Sequence, residues 1–387
     1  MEDLLKALAD SRADAPELWA ELKPYRFQDR YHLVRAHRRF VTWGLCEFLC
    51  AESARLTTID PDLAVESAEL AVLISDLLKE EGPGRSCWLY QLRGYAWAHD
   101  GNARRVLGDL RNADESFSIA DAWWEAGQAG AGDTLGYQPV LLDLKASLRI
   151  AQRRFQEALS LLDHLFLLHT EEGRPEYRDS HLAGRALIQK AIALAQMEEA
   201  EGSIELLRQA EALVDAKRDP RLFLCLRHNL LWNLTTVEEY EAAQTMLQEV
   251  ADLCRQQGNH PLSLLRVRWA EGRIAAGLGH TEAAIAIFQE LRREFAQRGI
   301  AYDSALVTIE LTALYSKEGY TAEVKKLSLE MAKIFRAQDI PREAIAAMLF
   351  FQKAAEREHA TASLAREVAA FLGKLRTNPG LQFDLRR

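Results

Sequence analysis

A pattern of small and aromatic residues returns along this chain at nearly even intervals. Its fullest form is Gly108, Asp109, Leu110, Arg111, Asn112 and Ala113, followed by Phe117 and Ala120. It recurs at Phe155–Ala158 with Leu162, at Tyr240–Ala243 with Leu247, and at Gly279–Ala284 with Phe288. Weaker copies centre on Ala64, Ser203 and Glu323. The central positions are 64, 113, 158, 203, 243, 284 and 323, separated by 49, 45, 45, 40, 41 and 39 residues. Apolar spacing of three and four within each copy is helical, and a period near 40 fits one helix pair per copy. A single such pair cannot bury its apolar face alone. The spacing therefore predicts a stack in which neighbouring pairs share one core.

Proline placement agrees. The chain has only 10 prolines in 387 residues. Pro220, Pro261 and Pro341 fall at successive unit boundaries, Gly299 marks the joint between the last two, and Pro139 and Pro175 mark earlier ones. Proline at a helix start loses no hydrogen bond, because its missing N–H would have no intrahelical partner there.

The pattern resembles the tetratricopeptide repeat (TPR) family. Trp97, Gly101, Gly108, Leu110, Ala113, Phe117 and Ala120 match the family's residue order across one helix pair, A then B. Gly272, Gly279, Ala284 and Phe288 match it again. Small residues let helices A and B approach, and the aromatic fills the space beside them. The match runs over roughly residues 40–340. The period exceeds the 34 residues of compact repeats and is similar to the extended repeats of bacterial regulators and adaptors. The resemblance implies an all-α fold: a right-handed superhelical solenoid of antiparallel helix pairs in a single continuous array. The expected organisation is N-terminal capping helices over 1–27 around Pro16 and Pro24, seven pairs over 28–340, a capping pair over 341–376, and a tail over 377–387. The seven pairs are placed near 28–79, 86–126, 138–170, 178–214, 219–257, 260–297 and 301–337. Leu349, Phe350 and Phe351 in the last pair either close the end of the core or form an exposed docking patch.

Charge and motifs narrow the function. Lys and Arg total 48 against 57 Asp and Glu, a net charge of −9. That balance disfavours a protein that wraps nucleic-acid backbone. The start, MEDLLKALAD, has no signal-peptide pattern, and no apolar run is long enough to span a membrane. The five cysteines form neither a disulfide framework nor a CxxC pair, which fits a reducing cytoplasm. Cys46 and Cys50 share a helix face, as half a metal site or as two small buried residues. No phosphate loop, zinc-protease or nucleophile-elbow motif appears. Gly127–Gly136 is Gly-rich but lacks the Lys-Ser/Thr of a phosphate loop and reads as an inter-repeat loop. His164 and His169, five apart, read as surface and packing residues. The expectation is a non-enzymatic protein with no cofactor and no metal.

In this architecture the A helices line a concave groove. The register assigns to it Tyr95, Asn102 and Arg105, then Asp143 and Ser147, then Arg185 and Gln189. Later pairs add His228, Asn229, Trp232 and Thr235, then Arg266, Trp269 and Arg273, then Thr308, Thr312 and Tyr315. Trp and Arg carry much of the energy at protein interfaces, and Arg pairs bidentately with carboxylates. The fifth and sixth pairs therefore point to an extended or helical acidic peptide. The competing reading is that these side chains only pack A helices against their neighbours. The family's carboxylate clamp uses Lys and Asn where this chain has His228 and Asn229 and then Trp232, which departs from a chaperone-tail ligand. The expected partner is a protein or peptide held by a scaffold. The alternative is a regulator whose array switches when a peptide or metabolite binds. A second basic feature, Arg26–Arg39, carries Arg26, Arg30, Arg35, Arg38 and Arg39 with only Asp29 in opposition. It either contacts nucleic acid or an anionic surface, or is a solvated face with its arginines paired to acids elsewhere.

Overall fold

In a computed structural model the described residues are 2–79, 86–128, 135–170, 175–258, 261–337, 351, 355 and 361–375. They are helical throughout, with no strand among them. Two helices, α1 (Glu2–Leu22) and α2 (Phe27–Ala36), and a 3-10 turn at Arg38–Phe40 precede the first pair. The pairs are α3 (Trp43–Leu56) with α4 (Pro61–Leu77), α5 (Ser86–Leu107) with α6 (Leu110–Gln128), and α7 (Gln138–Ala151) with α8 (Phe155–His169). They continue as α9 (Ser180–Gln196) with α10 (Ala200–Glu211), α11 (Pro220–Thr236) with α12 (Tyr240–Gln256), and α13 (Pro261–Gly277) with α14 (Thr281–Gln297). The last are α15 (Ala301–Lys317) with α16 (Thr321–Ala337), followed by α17 (Ala362–Leu375). The N-terminus differs from the expected short capping helices. One 21-residue helix runs through Pro16, and Pro24 sits in the turn that follows. Pro16 and Arg12 are both exposed, so water can satisfy the Arg12 carbonyl that the proline leaves without a donor.

The period is visible in the backbone at the turn inside each pair. Left-handed residues stand at Gly108, Arg153, Glu198, Glu238, Gly279 and Gly319, one after each A helix from α5 to α15. Five of the following amides, at Asp109, Arg154, Glu239, His280 and Tyr320, reach back to the carbonyls of Arg104, Arg149, Leu234, Ala275 and Tyr315 at 2.8–2.9 Å. This is the Schellman closure, which satisfies carbonyls that the helix end would otherwise leave open. Helix starts are fixed as firmly. Asp60 and Asp219 each cap a helix whose first residue is proline, accepting from Leu63 N at 3.1 Å and Leu222 N at 2.9 Å.

The chain divides into two compact units, residues 1–198 with 209–214, and residues 199–208 with 215–387. In the first, Trp19, Leu45, Leu49, Leu92, Ala96, Phe117 and Leu148 belong to one buried cluster. Cys46 and Cys50 are buried in it and unoxidised. In the second, Trp269, Phe288, Leu291, Phe295, Val307 and Leu327 form one core. A further cluster there joins Ile309, Met331, Phe351, Val368 and Leu372. Phe351 is fully buried in it and so helps close the core, whereas Leu349 and Phe350 lie outside the described residues. The small–aromatic pairing of the repeat is steric. A Cβ at Gly101 would lie 2.7 Å from the Phe117 ring, and one at Gly272 2.5 Å from Phe288.

Candidate functional site

Successive A helices touch one another: α5 with α7 and α7 with α9 in the first unit, α11 with α13 in the second. Side chains one repeat apart can therefore meet. In the first unit Asn102 is almost fully buried, and its Oδ1 accepts from Arg105 Nη2 at 2.8 Å. Burial lowers the Arg105 pKa, while the charge of Asp143 on α7 opposes that. Asp143 accepts in turn from Arg185 Nη2 at 2.9 Å and Gln189 Nε2 at 2.5 Å, both on α9. Five of the sequence-predicted positions thus fall into two bonded groups, Asn102 with Arg105 and Asp143 with Arg185 and Gln189, and the Asp143 charge acts on Arg105 without a direct bond. Arg185 is exposed.

In the second unit Trp232 and Trp269 meet edge to face, with centroids 5.4 Å apart. The Arg273 guanidinium lies over Trp232 at 4.9 Å. Glu310 on α15 accepts from Trp269 Nε1 at 3.1 Å and lies 3.8 Å from Arg273. Burial raises the Glu310 pKa, and Arg273 and the Trp269 N–H pull it back. His228 is pushed down to about 4, by burial first and by Arg266 second. Asn229 donates to its own helix, at Cys225 O, 2.8 Å away. Arg266 is exposed and has no ion pair among the described residues.

Several assignments to the groove need correction. Trp269 is 5% exposed and packs on Phe295 at 5.9 Å, so it is a core residue that supports Trp232 from beneath. Thr235, Thr308 and Thr312 are buried. Their hydroxyls donate to carbonyls of their own helices, at Trp232, Ser304 and Thr308. Tyr95 stacks on Tyr137 at 4.3 Å instead of facing a groove. Tyr315 is tied to Gln289 Nε2 at 2.7 Å. Ser147 is half-buried.

Sequence reasoning missed Glu310, although it lies 41 residues after Trp269, one repeat period. It also missed a partly buried set in the first unit. There Tyr137 donates to Glu47 and accepts from Trp43 Nε1 at 3.2 Å, and Arg12 Nη2 donates to Glu47 at 2.8 Å. These partners lie up to 94 positions apart, so no local pattern announces them.

The basic segment is resolved residue by residue. Arg30 is buried, donates to the Tyr25 and Lys23 carbonyls and pairs with Glu66 at 3.4 Å. Arg39 pairs with Glu21. Arg35 and Arg38 are exposed, with no ion pair among the described residues, and Arg35 lies over Tyr31. His169 is buried and holds the Tyr177 carbonyl through Nδ1 at 2.7 Å, so it packs and is not a surface residue. Residues 129–134 of the Gly-rich stretch lie outside the described residues. Among the described residues no cluster of three His, Cys, Asp or Glu side chains could hold a metal, and no helix is long and apolar enough to cross a membrane.

No protein-family model matches the sequence, and no curated protein gives a significant match. Solved structures do match in fold. A Rap protein complexed with competence and sporulation factor is 16% identical, with 86% of this chain and 87% of that chain covered and a TM-score of 0.57. Aspartyl phosphate phosphatase F from Bacillus subtilis is 11% identical, with 97% of each chain covered and a TM-score of 0.50. A kinesin light chain of Podosopora anserina with TPR-like repeats is 21% identical over 55% of this chain and 96% of that one, with a TM-score of 0.38. The first two, together with the paired helices and their periodic turns, show that the chain has an all-α, TPR-like helical-repeat fold.

Proposed function

We infer that the chain is a non-enzymatic adaptor that holds an acidic protein segment or peptide against its A-helix rows. The observation that carries this reading is the rung around Trp232. That ring is held from one side by the edge of Trp269 and from another by the Arg273 guanidinium. An aromatic face fixed before binding loses little side-chain entropy when a ligand arrives. Arg266 stands exposed on the same helix as Arg273 and offers a charge-assisted bond to a carboxylate. In the first unit, Arg105 and Arg185 outnumber the Asp143 between them, so that row is also locally cationic despite the net charge of −9. The fold shared with a Rap protein solved with a competence and sporulation factor supports a ligand-carrying role.

The test is selection of a random displayed peptide library on the wild-type chain, followed by anisotropy titration of the enriched peptides. Acidic sequences are expected to enrich. Trp232→Ala and Arg266→Glu are each expected to weaken binding at least about tenfold while keeping the helical signal. Enrichment without acidic bias, or unchanged affinity for both folded variants, would remove the proposal.

A further inference from the structure

A cavity of about 480 Å³ opens in the first unit, away from the rungs described above. Its floor is apolar: Trp43 at the start of α3, Leu78 just after α4, and Trp88 at the start of α5. Trp88 is 8% exposed. Trp43 is held in place by its Nε1 bond to Tyr137. The rim is cationic, made by Arg35, Arg38 and Lys79, all exposed.

The rim residues differ from two other arginines of the basic segment. Arg30 and Arg39 belong to the same basic segment, yet each is matched with an acid. Arg35, Arg38 and Lys79 have no ion pair among the described residues, and all three line the cavity; Arg26, also without an ion pair there, does not. The volume falls in the range of small-molecule sites, roughly 300–1,000 Å³, and an apolar floor with a few polar groups at the edge is their usual make-up. Two guanidinium forks can hold one planar carboxylate.

We propose that this cavity binds a small amphiphilic carboxylate, with its apolar chain or ring on Trp43, Trp88 and Leu78 and its carboxylate between Arg35 and Arg38. The site is separate from the A-helix rows, and its test does not depend on the peptide reading.

Isothermal titration of the full chain with decanoate, below its micellar range, tests it. The expected result is saturable binding at one site per chain. Decanol, which keeps the chain and lacks the charge, is expected to bind at least tenfold more weakly. Arg35→Glu with Arg38→Glu, both at exposed positions, is expected to weaken decanoate at least tenfold with unchanged circular dichroism. Leu78→Trp, which fills the floor, is expected to abolish binding. If that variant fails to fold, the double arginine variant and the decanol comparison still decide. Absence of saturable binding to the wild type, equal affinity for decanol, or undiminished binding by the folded arginine variant would each overturn the proposal.

Discussion

Gly272→Ala is the sharpest probe of the repeat packing. Gly272 lies within α13, where alanine is favoured over glycine by about 1 kcal/mol on helix propensity alone. The position forbids that gain. A Cβ there would stand 2.5 Å from Phe288 Cε1, 2.9 Å from Cδ1 and 3.0 Å from Ile287 Cγ2. Ordinary carbon contacts begin near 3.5 Å, so the ring must move by about 1 Å. It has little room, because Phe288 is 1% exposed and shares a core with Leu291 and Phe295. Overpacking of this kind costs about 1–3 kcal/mol. After the propensity gain, the net loss is about 0–2 kcal/mol. Phe288→Leu shortens the side chain that clashes. In the double variant the clash is relieved, and the two effects should fall short of additivity by about 1–3 kcal/mol. Urea unfolding followed by tryptophan fluorescence reads the transition that includes Trp269. Gly373→Ala is the control: it is exposed on α17, no atom lies within 4 Å of its added Cβ, and it should be neutral or stabilising by up to about 1 kcal/mol. A Gly272→Ala chain stabilised by the full helix-propensity gain of about 1 kcal/mol, or an additive cycle, would refute the close-approach account.

Other outcomes follow from the same contacts. His99 is buried, neither ring nitrogen has a hydrogen-bond partner among the described residues, and burial lowers its pKa from 6.5 to about 4. The folded state therefore stays neutral while the unfolded state protonates. Stability should fall by about 3 kcal/mol as pH drops from 6.5 towards 4, and His99→Leu should flatten that slope in thermal melts across the range. Trp269→Ala should cost about 3–5 kcal/mol as a core deletion, whereas Arg266→Ala should stay within about 0.5 kcal/mol; equal effects in denaturant titrations would contradict the placement of Trp269. Glu310→Gln removes the carboxylate facing Arg273, so it should tighten binding of the acidic peptides selected on the wild type, and weaker binding would count against Arg273 as a contact.

The helix pairs were legible because their signals are local. Gly101 with Phe117 and Gly272 with Phe288 are sixteen apart, and each encodes one A–B contact. Pro220 and Pro261 mark starts that the backbone confirms. The face of each A helix was less legible. An A helix is covered on several sides, by its own B helix and by neighbouring pairs, so α13 buries Val267, Trp269, Ala270, Gly272 and Ile274 around much of its circumference. With so narrow a polar strip, an error of one position moves a tryptophan from surface to core. Threonines misled for a second reason. Thr308 and Thr312 look polar in sequence, yet each satisfies its hydroxyl on the preceding turn of its own helix and can be buried. Pro16 also defied its local signal, because α1 carries it on a face open to water.

The evenness of the second unit has a consequence for modularity. Helices α11 to α16 each have 17 residues, and the turns within their pairs close at Glu238, Gly279 and Gly319. Helix length and turn thus come round together, and one period of sequence is a transferable part. Duplicating residues 261–300 in tandem would hand each copy a neighbour with matching knobs and hollows. Adding a single residue inside one of these helices would instead rotate everything beyond it by about 100°. For this unit, length is easily changed in whole periods and strongly resisted in fractions of one.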